Sequence, residues 1–269
     1  MILITQSALL AESSDYPFTH ARIGYQTITR TGTLTASTAA ALHPAYAAGL
    51  PNTYESWLGT AVPSWLQCDN GSPADVDYCA IAAHNLGTLG NTFKFQHSAD
   101  GSSWTDATPE LTVPDNTPIM VFFGEVSARY WRLQILSGAS PKIGVWYAGK
   151  SLAMQRAIYS GHTPITLSRM TVVRSNMSEG GQFLGRYIVR TGVETTASFQ
   201  HLTAAWYRAY FDPFVLSART MPFFFAWRPS DFPSEVAYVW TKGDISPSNM
   251  GTRDLMSVDI KMQGVGNYE

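Results

Sequence analysis

The sequence predicts an all-β protein built as two β-sandwiches, with one α-helix lying against the second. Three observations carry that prediction. First, apolar and polar side chains alternate in several short runs: Phe93 and Phe95 against Lys94 and Gln96; Trp131, Leu133 and Ile135 against Tyr130, Arg132 and Gln134; Met256, Val258, Ile260 and Met262 against Ser257, Asp259 and Lys261. A period of two is that of a strand with one face buried. Second, the runs are separated by turn chemistry such as Asp69-Asn70-Gly71 and Asp100-Gly101, where glycine tolerates positive φ and aspartate bonds its own backbone. Third, only 203–210 carries a helix signature. There Thr203 is a good N-cap, Leu202, Trp206 and Tyr210 share a helical face, and Asp212-Pro213 is expected to end the element near residue 211.

In chain order, the N-terminal segment 1–7 is short and apolar, and lacks the basic n-region and cleavage site of a signal peptide. An early strand is expected around Ile23, Tyr25 and Ile28. The Ala-rich stretch 31–50 is broken too often by Pro and Gly for a long helix. Residues 63–68 read as a strand, and Asp69-Asn70-Gly71 as its turn. The continuous apolar run 78–83 suits a strand buried on both faces, and the run 119–123 is similar. Ser137-Gly138-Ala139-Ser140-Pro141 breaks the composition, so the expected domains are 1–140 and 141–269. Beyond it, 169–174, 186–190, 195–201, 222–227, 235–241 and 255–262 are strand candidates. No internal repeat of useful period is found.

Two resemblances sharpen this reading. Ser98-x-Asp100-Gly101-x-x-Trp104, followed by Ala128-Arg129-Tyr130-Trp131-Arg132-Leu133 and preceded by Thr53-Tyr54-Glu55-Ser56-Trp57, resembles the signature of discoidin-type domains. These are the jelly rolls of coagulation-factor C domains and many carbohydrate-binding modules. The resemblance implies that Trp57 and Trp104 are core residues between the sheets. Discoidin-type domains often hold a structural Ca²⁺ in the loop before the Thr-Tyr segment. Here that loop offers His43, Pro44, Ala45 and Tyr46, with no Asp until Asp69, so no calcium site is expected. In the second half, Gly161-His162-Thr163-Pro164-Ile165, Phe183-Leu184-Gly185-Arg186 and 222–229 (Pro-Phe-Phe-Phe-Ala-Trp-Arg-Pro), together with a helix beside a sandwich, resemble the ring-forming distal tail and tail-tip proteins of long-tailed bacteriophages.

Composition excludes several function classes. Charged residues make up 14% of the 269, against about 25% in an average soluble protein. Aromatics reach 13%, with eight Trp. So many rings and so few charges fit either a surface covered by neighbouring subunits or a Trp-rich sandwich core. A net charge of −2 without a basic stripe argues against nucleic-acid binding. No apolar run approaches the ~20 residues of a membrane span. Cys68 and Cys79 sit in strand-like contexts, where a cross-strand disulfide is conceivable and buried free thiols are preferred.

No catalytic, metal or cofactor site is expected. There is no Gly-x-Ser-x-Gly, and the six histidines (His20, His43, His84, His97, His162, His201) are scattered singly. The cysteines lack zinc-like spacing, and Asp75, Asp77 and Asp100 are explained by turns and solvation. Glu179-Gly180-Gly181 lacks the Lys-Ser/Thr of a phosphate loop.

Binding surfaces are the better prospect. Tyr54, Trp57, Trp65 and Trp104 fall near strand ends, where an exposed ring would stack on a sugar. Phe224 and Trp227 lie in an aromatic run that is either a central strand or a subunit contact. Tyr238 and Trp240 pose the same question, and Arg186 and Arg190 are candidates for charged hydrogen bonds between subunits. The resulting expectation is a structural protein of a phage tail tip or baseplate, a ring-shaped homo-oligomer that contacts tail tube, hub and fibre proteins. It would sit in the virion, be assembled in the bacterial cytoplasm, and carry a discoidin-like domain for adaptor or host-glycan contacts. The alternative is a carbohydrate-binding module protein with an accessory β domain.

Overall fold

Trp131, Leu133 and Ile135 are fully buried while Tyr130, Arg132 and Gln134 are not, so the period-two pattern does set a strand with one wet face. The computed structural model describes residues 1–13 and 15–265. The strands are β1 (Ile2–Ile4), β2 (Arg22–Gly24), β3 (Thr33–Ala36), β4 (Trp57–Leu58), β5 (Ser64–His84), β6 (Thr92–Ser98), β7 (Thr105–Asp106), β8 (Ile119–Ser137), β9 (Lys142–Gly149), β10 (Leu152–Ala153), β11 (Met170–Met177), β12 (Phe183–Thr203), β13 (Phe223–Ala226), β14 (Val236–Thr241), β15 (Pro247–Asn249) and β16 (Leu255–Val265). A five-residue helix, α1 (Gln6–Leu10), precedes β2. Among the described residues no helix is long and apolar enough to cross a membrane.

The first sandwich is made chiefly from two long strands that each serve both of its layers. β5 and β8 pair along their length, from Ser64↔Ile135 to Ile81↔Ile119, with irregularities after Asp69 and Val76. Bulges bend strands and increase their twist. On one side of the bends the ladder continues to β3, β6 and β7. On the other it continues to β9 and β4 and, in parallel, to β1. The turn expected at Asp69-Asn70-Gly71 is therefore a bulge inside one strand, with Gly71 at φ +78° and its N–H donating to Asp69 Oδ1 at 2.8 Å. Leu66, Cys68, Phe93, Phe95 and Trp131 from the outer layer meet Cys79, Ile81, Val121 and Trp146 from the inner one in a single core. Cys68 and Cys79 are both free and buried there, and burial pushes the Cys68 thiol up to about 12.

The second sheet runs β10-β2-β13-β14-β16-β12-β11, with β15 on β16. One of its faces packs on the helix; the other lies back to back with the inner layer of the first sandwich. Strand alternation explains how. Phe223, Phe225, Ala237 and Val239 face the helix side, while Phe224, Ala226, Val236 and Tyr238 meet Tyr78, Ala80, Ala82, Met120, Phe122 and Tyr147 in a seam. Apolar runs with no polar alternation, at 78–83 and 223–226, are those of strands covered on both faces. Gly24 belongs to this seam, since a Cβ there would come within 2.6 Å of the Tyr78 ring.

The expected boundary at 140/141 is displaced at both ends. β9 is an inner strand of the first sandwich, paired to β5 and β4, and β2 is a strand of the second sheet, paired to β13 and β10. Apart from β1, which joins it by pairing with β8, the first sandwich is thus inserted between β2 and β10, and the composition break at 137–141 is only the β8–β9 turn.

The helix also departs from expectation. Thr203 caps it, accepting from Trp206 N at 3.4 Å, but it does not stop at Asp212-Pro213. An α turn at Ala204–Trp206 runs through a π turn at Tyr207–Phe211 into Asp212–Ala218. Pro213 sits at the start of that last segment, where its missing N–H is tolerated. The extra residue of the π turn shifts the buried face by one position. Phe211, not Tyr210, enters the core with Trp206, Tyr207 and Phe214, and Tyr210 stays exposed.

One buried histidine makes a pH prediction. His84 Nε2 lies 2.8 Å from Thr117 O and its Nδ1 accepts from Leu86 N at 3.2 Å, the pattern of a neutral ring with its proton on Nε2. Burial pushes its pKa down to about 4, against about 6.5 when unfolded. The native state therefore binds fewer protons, and the stability His84 supplies is complete above pH ~6.5 and lost as pH falls toward 4, by on the order of 3 kcal/mol. Asp77 acts in the opposite sense: burial raises its carboxyl to about 6, so its cost is relieved on acidification. Denaturant midpoints of Asp77→Asn are expected to fall more steeply between pH 6.5 and 4 than those of the unaltered chain. Adding His84→Gln should flatten the fall; an unchanged slope would contradict the assignment.

Candidate functional site

The connection from β3 to β5 (37–63) is where the first sandwich presents rings to solvent. Its base is fixed by burial: Trp57 is enclosed in the core, and its Nε1 donates to Thr38 O at 2.8 Å. Its middle is tied to the second sheet by Tyr238, whose hydroxyl donates to Pro51 O at 2.7 Å. Between these anchors Asn52 builds a local turn. Its Oδ1 accepts from Tyr54 N at 3.2 Å and Glu55 N at 2.9 Å, while its Nδ2 donates to Glu55 Oε2 at 3.2 Å. Side-chain bonds of this kind replace the backbone pairing that a loop lacks.

The turn leaves the Tyr54 ring 92% exposed, and the same connection exposes Tyr46 and Leu42. Polar groups flank them: Glu55, Asn52, and His43, whose Nδ1 lies 3.1 Å from Ser56 Oγ. A tyrosine pays little rotamer entropy when its ring is covered and carries a hydroxyl at its edge. Held proud of the surface on a braced loop, it offers a flat apolar face with hydrogen-bonding groups beside it.

The other rings of the first sandwich are placed differently. Trp104 is not in the core, as the resemblance implied, but half-buried at the surface with the Arg132 guanidinium 4.0 Å over its ring. Ser98 organises this corner, accepting from Gly101 N at 2.9 Å and donating to Asp100 Oδ1 at 2.9 Å, with Gly101 at φ +74°. Asp100 also accepts from Ser102 N and Ser103 N, which holds its carboxyl well below the usual range. Arg129 forms a two-pronged pair with Asp69, at 2.7 and 2.8 Å. The signature residues thus build a turn and a clamp. Trp65 is partly covered on the outer layer.

The six residues expected at a subunit contact separate into three groups. Phe224 and Tyr238 are buried in the seam, enclosed by the chain's own Tyr147, and so are not available to a neighbour. Trp227 and Trp240 are partly covered. Trp227 lies flat on Phe232 at 4.8 Å and 4.6 Å from His162. Arg186 and Arg190 are exposed on the β11–β12 hairpin. His162, Trp227, His20 and Arg228 line a groove of about 460 Å³ on the second sandwich. His162 Nδ1 sits 3.3 Å from Thr195 Oγ1, and burial lowers its pKa to about 4, which keeps it neutral near pH 7. Among the described residues no group of three or more His, Cys, Asp or Glu is placed to hold a metal ion.

Fold and site together define a β-sandwich module with a loop-borne aromatic platform. Residues 29–149, the inserted sandwich, match the F5/8 type C domain family, so this part of the chain is a discoidin-like domain. Among curated proteins nothing matches the chain in sequence. Solved structures similar to it include chitosan-binding module 1 of a chitosanase/glucanase from Paenibacillus sp. IK-5, at 17% identity over 46% of this chain and 99% of that one, TM-score 0.42. Another is the module CpGH89CBM32-5 of Clostridium perfringens with GalNAc-β-1,3-galactose, at 11% identity over 46% and 100%, TM-score 0.42. A third is the family 32 carbohydrate-binding module of C. perfringens NanJ with galactose, at 18% identity over 47% and 98%, TM-score 0.40.

Proposed function

We propose that this is a non-catalytic glycan-binding protein, in which the discoidin-like domain captures a saccharide on the Tyr54 loop and the second sandwich is its supporting body. The observation that carries the reading is the 92% exposed ring of Tyr54 on a loop braced by Trp57, Asn52 and Tyr238. The apolar face of a pyranose stacks on such a ring, while Glu55, Asn52 and His43 are at hand for its hydroxyls. The test is retention of the full chain on an array of bacterial cell-wall and capsular glycans. Binding to a subset with shared terminal sugars supports the reading, and an empty array at high protein concentration counts against it.

A second reading is favoured by a different observation, the long hairpin of β11 and β12, which leaves the body of the sheet with its apolar side chains uncovered. We infer from it a structural subunit that assembles with copies of itself. A ring at a phage tail tip, in contact with tube, hub and fibre proteins and located in the virion, would combine both readings, with the glycan site turned toward a host surface. Light scattering of the purified chain tests the self-assembly.

A further inference from the structure

The hairpin formed by β11, the turn 178–182 and the first half of β12 stands apart from all three hydrophobic cores. Among the described residues β11 pairs only with β12, from Met170↔Gly192 to Met177↔Phe183, and past Gly192 strand β12 leaves it to join β16. Among the described residues none from 170 to 192 belongs to a core cluster. Met177, Phe183, Leu184, Tyr187, Ile188 and Val189 are each 50 to 69% exposed. A two-stranded hairpin is marginal in water by itself, and one that turns large apolar residues outward has a surface suited to being covered. Its charge is one-sided. Residues 169–192 hold Arg169, Arg174, Arg186 and Arg190 against Glu179, a net +3; with the chain at −2, the remainder carries −5. Aromatic and arginine-rich but lysine-free composition is that of protein interfaces.

A complement lies elsewhere on the same chain. α1 packs on β8, where Gly124 N donates to Ser7 Oγ at 3.0 Å, and turns Leu9 and Leu10 (79% exposed) to solvent. Beside it is a cavity of about 250 Å³ whose apolar lining includes Ala8, Phe18, Phe122 and Phe123, with the carboxylates Glu12, Asp77 and Glu125 and the cations Arg22 and Lys150 among its polar residues. Asp75 is close by: it and Asp77 both act on Lys150, which pairs with Glu125 at 2.6 Å. Glu12, Asp75, Asp77 and Glu125 outnumber Arg22 and Lys150, so an apolar floor with a net acidic edge faces an apolar arm with arginines.

We propose that the arm of one copy docks on the α1 cavity of the next, apolar tip to apolar floor and Arg186 and Arg190 to Glu125 and Asp75. The two surfaces are different patches, so the contact is head-to-tail and propagates to a ring or an open chain. This rests on the self-assembly reading and is independent of the glycan site.

The test is multi-angle light scattering of the full chain, the variants being exposed-site changes whose folding is checked by circular dichroism. The unaltered chain is expected to run as a multimer, and Leu184→Asp with Ile188→Asp to reduce it to a monomer. Arg186→Glu with Arg190→Glu is also expected to dissociate it, and Glu125→Lys with Asp75→Lys in the same chain to restore it. A multimer that survives the arm changes overturns this docking and leaves self-assembly standing. A monomeric unaltered chain overturns both. A monomer that floats with phosphatidylcholine–phosphatidylglycerol vesicles, and stops doing so in the Leu184→Asp, Ile188→Asp variant, would show that the arm meets lipid and overturn the proposal.

Discussion

Tyr54→Ala is expected to remove most of the chain's retention on whichever glycan the unaltered protein selects, while leaving its unfolding midpoint where it was. The ring is 92% exposed, so almost none of its surface contributes to the folded state, and surface changes of this kind stay within about 0.5 kcal/mol. Its backbone N–H, bonded to Asn52 Oδ1, is kept by alanine, so the turn persists. A tyrosine anchor at a small site is worth on the order of 2 kcal/mol, or roughly thirtyfold in Kd. Titration calorimetry on the selected glycan measures the loss. Tyr130→Ala, on β8 opposite Asp69 and Ser98, is the control and should bind normally. Equal affinity in the Tyr54 variant would move the site elsewhere, and equal loss in both would point to a general defect.

Phe224→Ala should cost about 3–5 kcal/mol, the range for a large aromatic removed from a packed interior. The ring is fully enclosed in the seam, edge-on to Tyr147 at 5.4 Å and 4.9 Å from Tyr238. Because the seam joins two separate cores, its loss is expected to split denaturant unfolding into two transitions, followed by tryptophan fluorescence and far-ultraviolet circular dichroism. Light-scattering mass in native buffer should not change. A change in mass with unaltered stability would mean that Phe224 touches a neighbouring copy after all.

That contrast shows what was legible from residue order. Alternation at 130–135 and 256–262 placed strand faces correctly because period two is a local property, and the Asp100-Gly101 turn followed from its own chemistry. The apolar runs at 78–83 and 223–226 announced strands covered on both faces. What covers them is long-range information: nothing in Phe223-Phe224-Phe225 says that Phe224 meets Tyr147 rather than another subunit. The membership of Arg22–Gly24 in the second sheet was hidden for the same reason, since three residues carry no signal about their partner strand. The π turn at Tyr207–Phe211 was hidden differently: a one-residue insertion in helical phase made Tyr210 look buried, whereas Phe211 takes that place in the core.

The loop site was half visible. Trp57 was correctly enclosed, but its neighbour in motif, Trp104, lies at the surface under Arg132, so a shared signature did not mean a shared environment. Tyr54 stood among four candidate rings, and the feature that separates it is the Asn52 turn beneath it. Asn two positions before an aromatic was the available signal. The exposure of the β11–β12 arm had none, because Phe183, Leu184 and Ile188 read as core residues until their distance from every core is seen.

The insertion of the discoidin-like domain between β2 and β10 has a mechanical meaning. Leu152 and Ile23 sit opposite one another in the sheet, so the chain leaves for the outer sandwich and comes home through adjacent rungs. A body hung on one flexible tether can swivel; one hung on two neighbouring strands and a tyrosine-lined back wall keeps a fixed heading. Any load taken up at its rim is delivered to the β10–β2 edge of the second sheet, as a handle transmits torque to a blade.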